Sequence, residues 1–430
     1  MLNQEIETAP LSEQMEFQNI ALRQQLEYLK KFSKFYQLIF KNNNIDISKI
    51  RTVEDLSFIP TTTKEDLQKF NQDFICCKKD EIVDYLTTSG TTGKPVLFVL
   101  TESDLKRLEY NEFLSLSCAG CKKEDSIQLM TTLDRRFMAG LAYYLGARKI
   151  GSGIVRVGAG TPAFQWDTID IVRPNILITV PSFIIKLIEF ANENNIDYHK
   201  YNIQKAICIG DTIRNEDFSL NSLGKKIKEN WDIELISTYA STEMSTAFTE
   251  CNFGCGGHHH PELIVTEFLD EKGNPVSEGA PGELVVTTLG VEGLPLLRYK
   301  TGDICSYYLE PCKCGRKTVR VGPVIGRKNQ MMKIKGTTLY PNAFYDILDN
   351  FDFINSYVII VKKNNLDLDE VTIKLNLKND NSESIDIIKE HLKSKLRVNP
   401  NLVIESLEEI NILLNPEGSR KAMKFLDYRN

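Results

Sequence analysis

The chain has 430 residues, 42% hydrophobic and 26% charged, an ordinary balance for a globular protein with room for two to four units of about 100–200 residues. A net charge of −6 gives no electrostatic grip on nucleic acid or an anionic membrane, and no apolar run approaches the roughly 20 residues of a membrane span. Ten cysteines, with no basic and apolar leader at Met1-Leu-Asn-Gln-Glu5, imply a reducing, cytoplasmic setting in which close cysteine pairs mean metal or chance before disulfide.

Residues 13 to 40 place Met15, Phe17, Ile20, Leu22, Leu26, Leu29, Phe32, Tyr36 and Ile39 at largely helical spacing, which predicts one or two amphipathic helices packed on the main body. The pattern holds too few clean heptads for a coiled coil. Next comes Tyr85-Leu-Thr-Thr, then Ser89, Gly90, Thr91, Thr92, Gly93, Lys94 and Pro95, leading into the apolar run Val96–Leu100. Glycines let backbone N–H groups approach, hydroxyls donate further bonds and Lys94 supplies charge, so this loop can wrap a polyphosphate. It is not a Walker A loop. Gly90 and Gly93 lie too close together, and Pro95 stands where Ser or Thr would hold magnesium.

Beyond the loop, the β-rich runs Ser126–Met130, Asn175–Val180, Lys205–Ile209 and Glu234–Ser237 alternate with helical stretches, predicting α/β layers with largely parallel strands. Cys118-Ala-Gly-Cys121 has redox-motif spacing, but it closes the helix predicted over Lys106–Leu116, with Gly120 as its cap, and reads as structural. From about residue 263 to 310, Leu263–Leu269, Lys272-Gly-Asn and Gly282–Thr288 read as antiparallel strands and turns in a small barrel-like subdomain. Cys251, Cys255, His258, His259 and His260 stand on one side of this β-rich insert, with Cys312 and Cys314 on the other, a set able to close a tetrahedral zinc site. After Gly326-Arg-Lys-Asn329 the order strand, strand, helix, strand (Ser356–Val361, Glu370–Leu377, Ile385–Leu396, Asn401–Glu405) suits a compact α+β cap. The expected division is 1–326, with the β-rich part at about 245–325, and 327–430.

Four segments in order carry a resemblance: the loop at 89–95, Tyr239-Ala-Ser-Thr-Glu243, Tyr299-Lys-Thr-Gly-Asp303 and Gly326-Arg327. Together, over residues 85 to 335, they resemble the motifs of the adenylate-forming superfamily. Gly282–Leu289 leading to Leu294-Pro-Leu-Leu-Arg298, and Cys312-Lys-Cys-Gly315, look most like its phenylacetate–CoA ligase branch. The resemblance implies a large N-terminal α/β adenylation domain and a small mobile α+β cap. It also implies a ligase that activates a carboxylic acid with ATP and magnesium, releases pyrophosphate and passes the acyl group to coenzyme A.

Residue roles follow from the same resemblance. Ser89 to Lys94 would hold the β- and γ-phosphates, Thr242 the α-phosphate, and Glu243 magnesium. Asp303 would accept both ribose hydroxyls, a task for a two-oxygen acceptor, with Arg327 beside it. Tyr239, Ala240 and Ser241 would border adenine, and Asp211, in a stretch with Ile209 and Thr212 where relatives carry glycine and proline, would meet its amine. Phe137, Tyr143, Tyr144, Tyr239 and Ala240 would line the acid pocket, for an aryl acid such as phenylacetate. Lys335 and Gly336 would flank the coenzyme A channel and Asn329 the hinge. Near the C-terminus Gly418-Ser-Arg-Lys421-Ala-Met-Lys424 aligns the adenylation lysine to Lys421, with Lys424 as second choice. Some branch members carry a structural zinc, which points to Cys251, His258, Cys312 and Cys314, with Cys255 and His260 as substitutes. Transfer to a carrier-protein thiol, or nucleotide binding without catalysis, are the rival readings; a homodimer stays open.

Overall fold

The computed structural model describes residues 4–88, 96–334, 337–364, 368–378, 382–415 and 423–429. The expected phosphate loop from Ser89 to Lys94, the expected channel pair Lys335 and Gly336, and Lys421 therefore lie outside the described residues. The chain divides into two compact units: Met1–Leu220 with Gly224–Thr301 and Cys305–Pro323, and Val324–Asn430 with Asn221–Leu223 and Gly302–Ile304.

In the first unit a nine-stranded sheet forms the frame. Its parallel part runs Glu234–Ser241, Lys205–Ile209, Ile176–Thr179, Ser126–Leu129, Gly153–Arg156. Ile176–Thr179 is buried throughout, as a parallel strand covered on both faces must be, and for that reason the sequence reads as an unbroken apolar run. The chain passes from Ser126–Leu129 outward to Gly153–Arg156, then crosses back to Ile176–Thr179 on the other side. The strand order thus reverses between Leu129 and Thr179, and open α/β sheets bind ligands at the carboxyl ends of strands flanking such a reversal.

The β-rich stretch is antiparallel, and it divides between two open sheets, with no closed barrel among the described residues. Ile264–Leu269 pairs with Gly282–Thr288. Thr246–Thr249, Gly257–His258, Arg320–Val321 and Tyr307–Tyr308 instead extend the nine-stranded sheet in that order from Glu234–Ser241. The predicted N-terminal helices appear as Leu11–Phe32 and Lys34–Asn42. Leu22, Leu26 and Leu29 are buried, but Ile20 and Phe32 face solvent. Polar side chains do part of the docking: Gln18 Nε2 donates to Ile264 O (2.9 Å) and Tyr28 Oη to Glu292 O (3.0 Å).

The second unit is a four-stranded sheet in the order Asn401–Ile404, Asp369–Leu377, Ile354–Lys363, Phe425–Tyr428. Asp369–Leu377 alternates buried and half-buried residues, the period of a strand with one face in a core. Phe344, Ile347, Ile388 and Leu392 from two helices pack on Ile359, Val361, Ile373 and Leu375. Val358, Ile360 and Leu426 meet Ile410 and Leu414 on the opposite face.

Candidate active site and candidate metal centre

The strand Asp84–Thr87 pairs antiparallel with Leu97–Leu100, and Thr88 and Val96 form a stem beyond that pairing. Thr88 N donates to Val96 O and Val96 N to Thr88 Oγ1, both at 3.1 Å. Thr87 N donates to Arg136 O (3.1 Å), which ties this stem to the segment following Ser126–Leu129, at the strand reversal. Phe137, half-buried, ends that segment as N-cap of the helix Met138–Ile150.

Asp211 follows Lys205–Ile209 at the same carboxyl edge, where its carboxylate accepts from Ser182 N (3.4 Å) at the start of the helix Pro181–Glu193. Arg214, three residues after Asp211, points the other way. Its Nε donates to both oxygens of buried Glu250 (2.9 and 2.8 Å), a structural pair bracing Glu234–Ser241 through Ser237 N. Tyr239, Ala240 and Ser241 end that strand, and Tyr239 stacks on Phe248 at 6.0 Å. Thr242 and Glu243 occupy the four-residue turn to Thr246–Thr249, half-buried and on the edge that carries Asp211. The carboxyl edge thus gathers the loop stem, Asp211 and the Tyr239–Glu243 motif.

The aromatic pocket residues fare unequally. Tyr143 is 3% exposed and packs in the core with Leu129, Ile178 and Ala147. Tyr144 is half-buried, with the Arg156 guanidinium 5.2 Å from its ring centre.

Within the second unit Asp303 and Arg327 face each other on paired strands, Nε 3.3 Å from Oδ1. The two residues assigned to one ribose are thereby brought side by side. Asn329 lies in the turn Lys328–Gln330, and its carbonyl accepts from Arg429 Nη2 (3.0 Å). Arg429 also grips Asp427, Asp369 and Met331 O, which gives the terminal Asp-x-Arg a bracing role. Lys424 is engaged: its Nζ reaches Asp349 and Tyr357 Oη, both at 3.1 Å, over the Tyr357 ring.

The cysteine and histidine loops meet. Ligand atoms of Cys251, His258, Cys312 and Cys314 all lie within 4.8 Å of one another. Cys251 Sγ is 3.6 Å from Cys312 Sγ, and Cys314 Sγ is 3.5 Å from His258 Nε2. Sulfurs about 2.3 Å from a tetrahedral zinc sit roughly 3.8 Å apart, whereas a disulfide needs about 2.05 Å, so this donor set fits zinc. His258 Nδ1 bonds Thr318 Oγ1 (3.3 Å), leaving Nε2 to face the thiols. Burial pushes the Cys314 thiol up, but bonds from His258 and Arg316 outweigh it and hold the group below its ordinary range.

Of the substitutes, Cys255 Sγ is 3.6 Å from Cys312 Sγ and stays at the rim of the cluster. His260 turns away: its Nδ1 bonds Glu7 (2.6 Å), whose other oxygen accepts from Arg316 Nε (2.8 Å). Glu7 is 2% exposed, and a buried carboxylate takes the nearest hydrogen-bond donors, which turns His260 away from the thiols. Cys118 and Cys121 part company at the helix end. Cys118 bonds Thr249 O (3.4 Å) against the cluster, while Cys121 joins the core under the parallel sheet.

The sequence matches the AMP-binding enzymes over residues 35–292, more than half of the chain, and the chain belongs to that family. Phenylacetate–coenzyme A ligase of Thermus thermophilus is 29% identical over 382 residues, covering 87% of this chain and 84% of the relative. Its counterpart in Escherichia coli is 23% identical over 442 residues, covering 99% and 97%. Within the family the chain's place is the phenylacetate–CoA ligase branch. Among solved structures, 2-hydroxyisobutyryl-CoA ligase in the postadenylation state, in complex with R3-HIB-AMP, superposes with a TM-score of 0.85 over 99% of this chain and 92% of that one at 20% identity, a likeness of fold.

Proposed function

We propose that this ATP-dependent, AMP-forming acid–CoA ligase takes an aryl acid such as phenylacetate. The observation that carries the reading is the convergence of the loop stem, Asp211 and the Tyr239–Glu243 turn at the carboxyl edge of the sheet, in a chain of this family. The acid's carboxylate attacks the α-phosphorus of ATP, forming the acyl–adenylate bond as the bond to pyrophosphate breaks. The thiol of coenzyme A then attacks the acyl carbon and AMP leaves. Charge developing on the phosphates is met by Ser89 to Lys94, by magnesium held through Glu243, and by Thr242 at the α-phosphate. Asp303 and Arg327 hold the ribose, while Phe137, Tyr239 and Ala240 offer the surface nearest the acid. Tyr143 and Tyr144 back that surface. Lys421 serves adenylation in preference to Lys424, whose ammonium is already committed to Asp349 and Tyr357. Lys335 and Gly336 flank the path of coenzyme A, and Asn329 serves as the pivot. The same reading places the enzyme in the cytoplasm, as a monomer or homodimer that sedimentation distinguishes; no helix among the described residues is long and apolar enough to cross a membrane.

Pyrophosphate release across a panel of carboxylic acids, with and without coenzyme A, tests the proposal. The fastest release is expected with aryl acids, and thioester is expected only when coenzyme A is present. Release with none of the acids, or acyl transfer to a carrier-protein thiol in preference to coenzyme A, would overturn it.

Zinc in the Cys251, His258, Cys312 and Cys314 set is part of the same reading, as a structural ion joining two loops far apart in the sequence. Purified protein is expected to carry about one zinc per chain. Cys312→Ser should lose both the metal and several degrees of thermal midpoint. Metal-free protein, or a variant unchanged in both, removes zinc from the account.

A further inference from the structure

The helix Glu102–Cys118 turns Arg107 and Asn111, one turn apart on the same face, toward the strand Thr246–Thr249. Asn111 Oδ1 accepts from Ala247 N (3.1 Å). Arg107 is 5% exposed, and the four bonds of its guanidinium all go to uncharged acceptors: Nε to Leu289 O (2.8 Å), Nη1 to Ser245 O (2.6 Å), Nη2 to Leu263 O (2.6 Å) and to Thr246 Oγ1 (3.2 Å). Burial lowers its pKa to about 10, which still leaves a full cation at neutral pH. Asp104 and Glu262 are close enough to favour the charged form, but neither carboxylate bonds it, and a buried charge so held still costs more than apolar packing in a merely structural helix.

The geometry at the turn supplies the purpose. Ser245 closes the four residues that carry Thr242 and Glu243, and its φ of 48° is left-handed, a conformation that non-glycine residues hold only where their surroundings impose it. Ser245 N and Oγ both donate to Thr242 O (3.3 and 3.2 Å), so the corner at Ser245 sets the path of the turn back to Thr242. Arg107 bonds the carbonyl of Ser245 itself and the hydroxyl of the next residue. We propose that Arg107 is a positioning residue for adenylate formation: by fixing the left-handed corner at Ser245 it aims Thr242 and Glu243 at the phosphates and their magnesium. This rests on the reading that Glu243 holds that ion.

The test is the magnesium concentration giving half-maximal pyrophosphate release. Arg107→Lys keeps a cation but cannot reach four acceptors in a fixed fork, and it should raise that concentration severalfold to about 10-fold, the lower edge of what losing a direct partner of a metal ligand does, because Arg107 acts one step removed through Ser245. High magnesium should recover much of the rate, while the KM for the acid stays put. Ser245→Gly added to Arg107→Lys should restore part of the magnesium dependence, because glycine takes a φ of this sign unaided and keeps the backbone bond to Thr242 O while losing the hydroxyl's. Should Arg107→Lys not fold, Thr246→Val removes one acceptor, keeps the side chain's shape and should still shift the dependence severalfold. Unchanged magnesium dependence in the folded variants, alongside a defective Glu243→Gln, overturns the positioning role alone. Unchanged dependence in Glu243→Gln as well removes the magnesium reading and this inference with it.

Discussion

Lys421→Ala is expected to nearly abolish adenylate formation from acid and ATP, and to leave the conversion of a synthetic acyl-adenylate and coenzyme A to thioester at a useful rate. The two half-reactions make different demands. In the first, two anions, the carboxylate and the α-phosphate, must be pressed together, and a cation bridging them offsets their repulsion as the new bond forms. In the second, a thiol meets a neutral acyl carbon and the leaving group is already activated, so the bridge has no task. Lys424 cannot take over without leaving Asp349 and Tyr357, so a single substitution should expose the asymmetry. Equal loss in both assays would make Lys421 structural. Loss in neither would return the role to Lys424, with Lys424→Ala then carrying the defect.

Glu243→Gln is expected to lower pyrophosphate release by about 10²–10³, by analogy with the roughly 3–4 kcal/mol carried by one contact to a developing oxyanion. The amide keeps the size and most of the hydrogen bonding of the acid, but it removes the charge that a hard divalent ion needs from its oxygen ligand. The substitution therefore reads magnesium binding with little disturbance of the turn. Near-wild-type release, measured across a magnesium titration, would falsify the assignment.

Periodicity and motif spacing made much of this legible in advance. The parallel strands were readable because burial on both faces forces runs such as Ile176-Leu-Ile-Thr179. The paired Asp303 and Arg327 were readable because each sits in its own short motif. The meeting of the cysteine and histidine loops was readable for a related reason: thiols and imidazoles are scarce, so two groups flanking one β-rich insert invite a single cluster. Spacing alone did not choose among the three consecutive histidines; His258 came from the family resemblance. Whether His258 or His260 faces the thiols depends on Glu7 claiming His260, a contact across 253 residues that no local pattern encodes. Arg107 was hidden likewise. It stands in a helix of mixed polarity, where an arginine reads as a solvated surface group until the strands behind it are known. Nor did the sequence show that the β-rich stretch divides between two sheets, because register and pairing are settled by partners distant along the chain.

The contacts of Glu7 also bear on the order in which the chain can fold. Its partner Arg316 is 309 residues away, and the helix behind it docks onto carbonyls at Ile264 and Glu292. During synthesis Glu7, Gln18 and Tyr28 must therefore wait for these partners while some 246 to 309 residues are made at about 5–20 per second. A helix pair held for tens of seconds without these anchors is one that chaperones bind and proteases find. The fraction of nascent chains surviving this interval, more than the stability of the finished fold, should then limit yield when translation is slow.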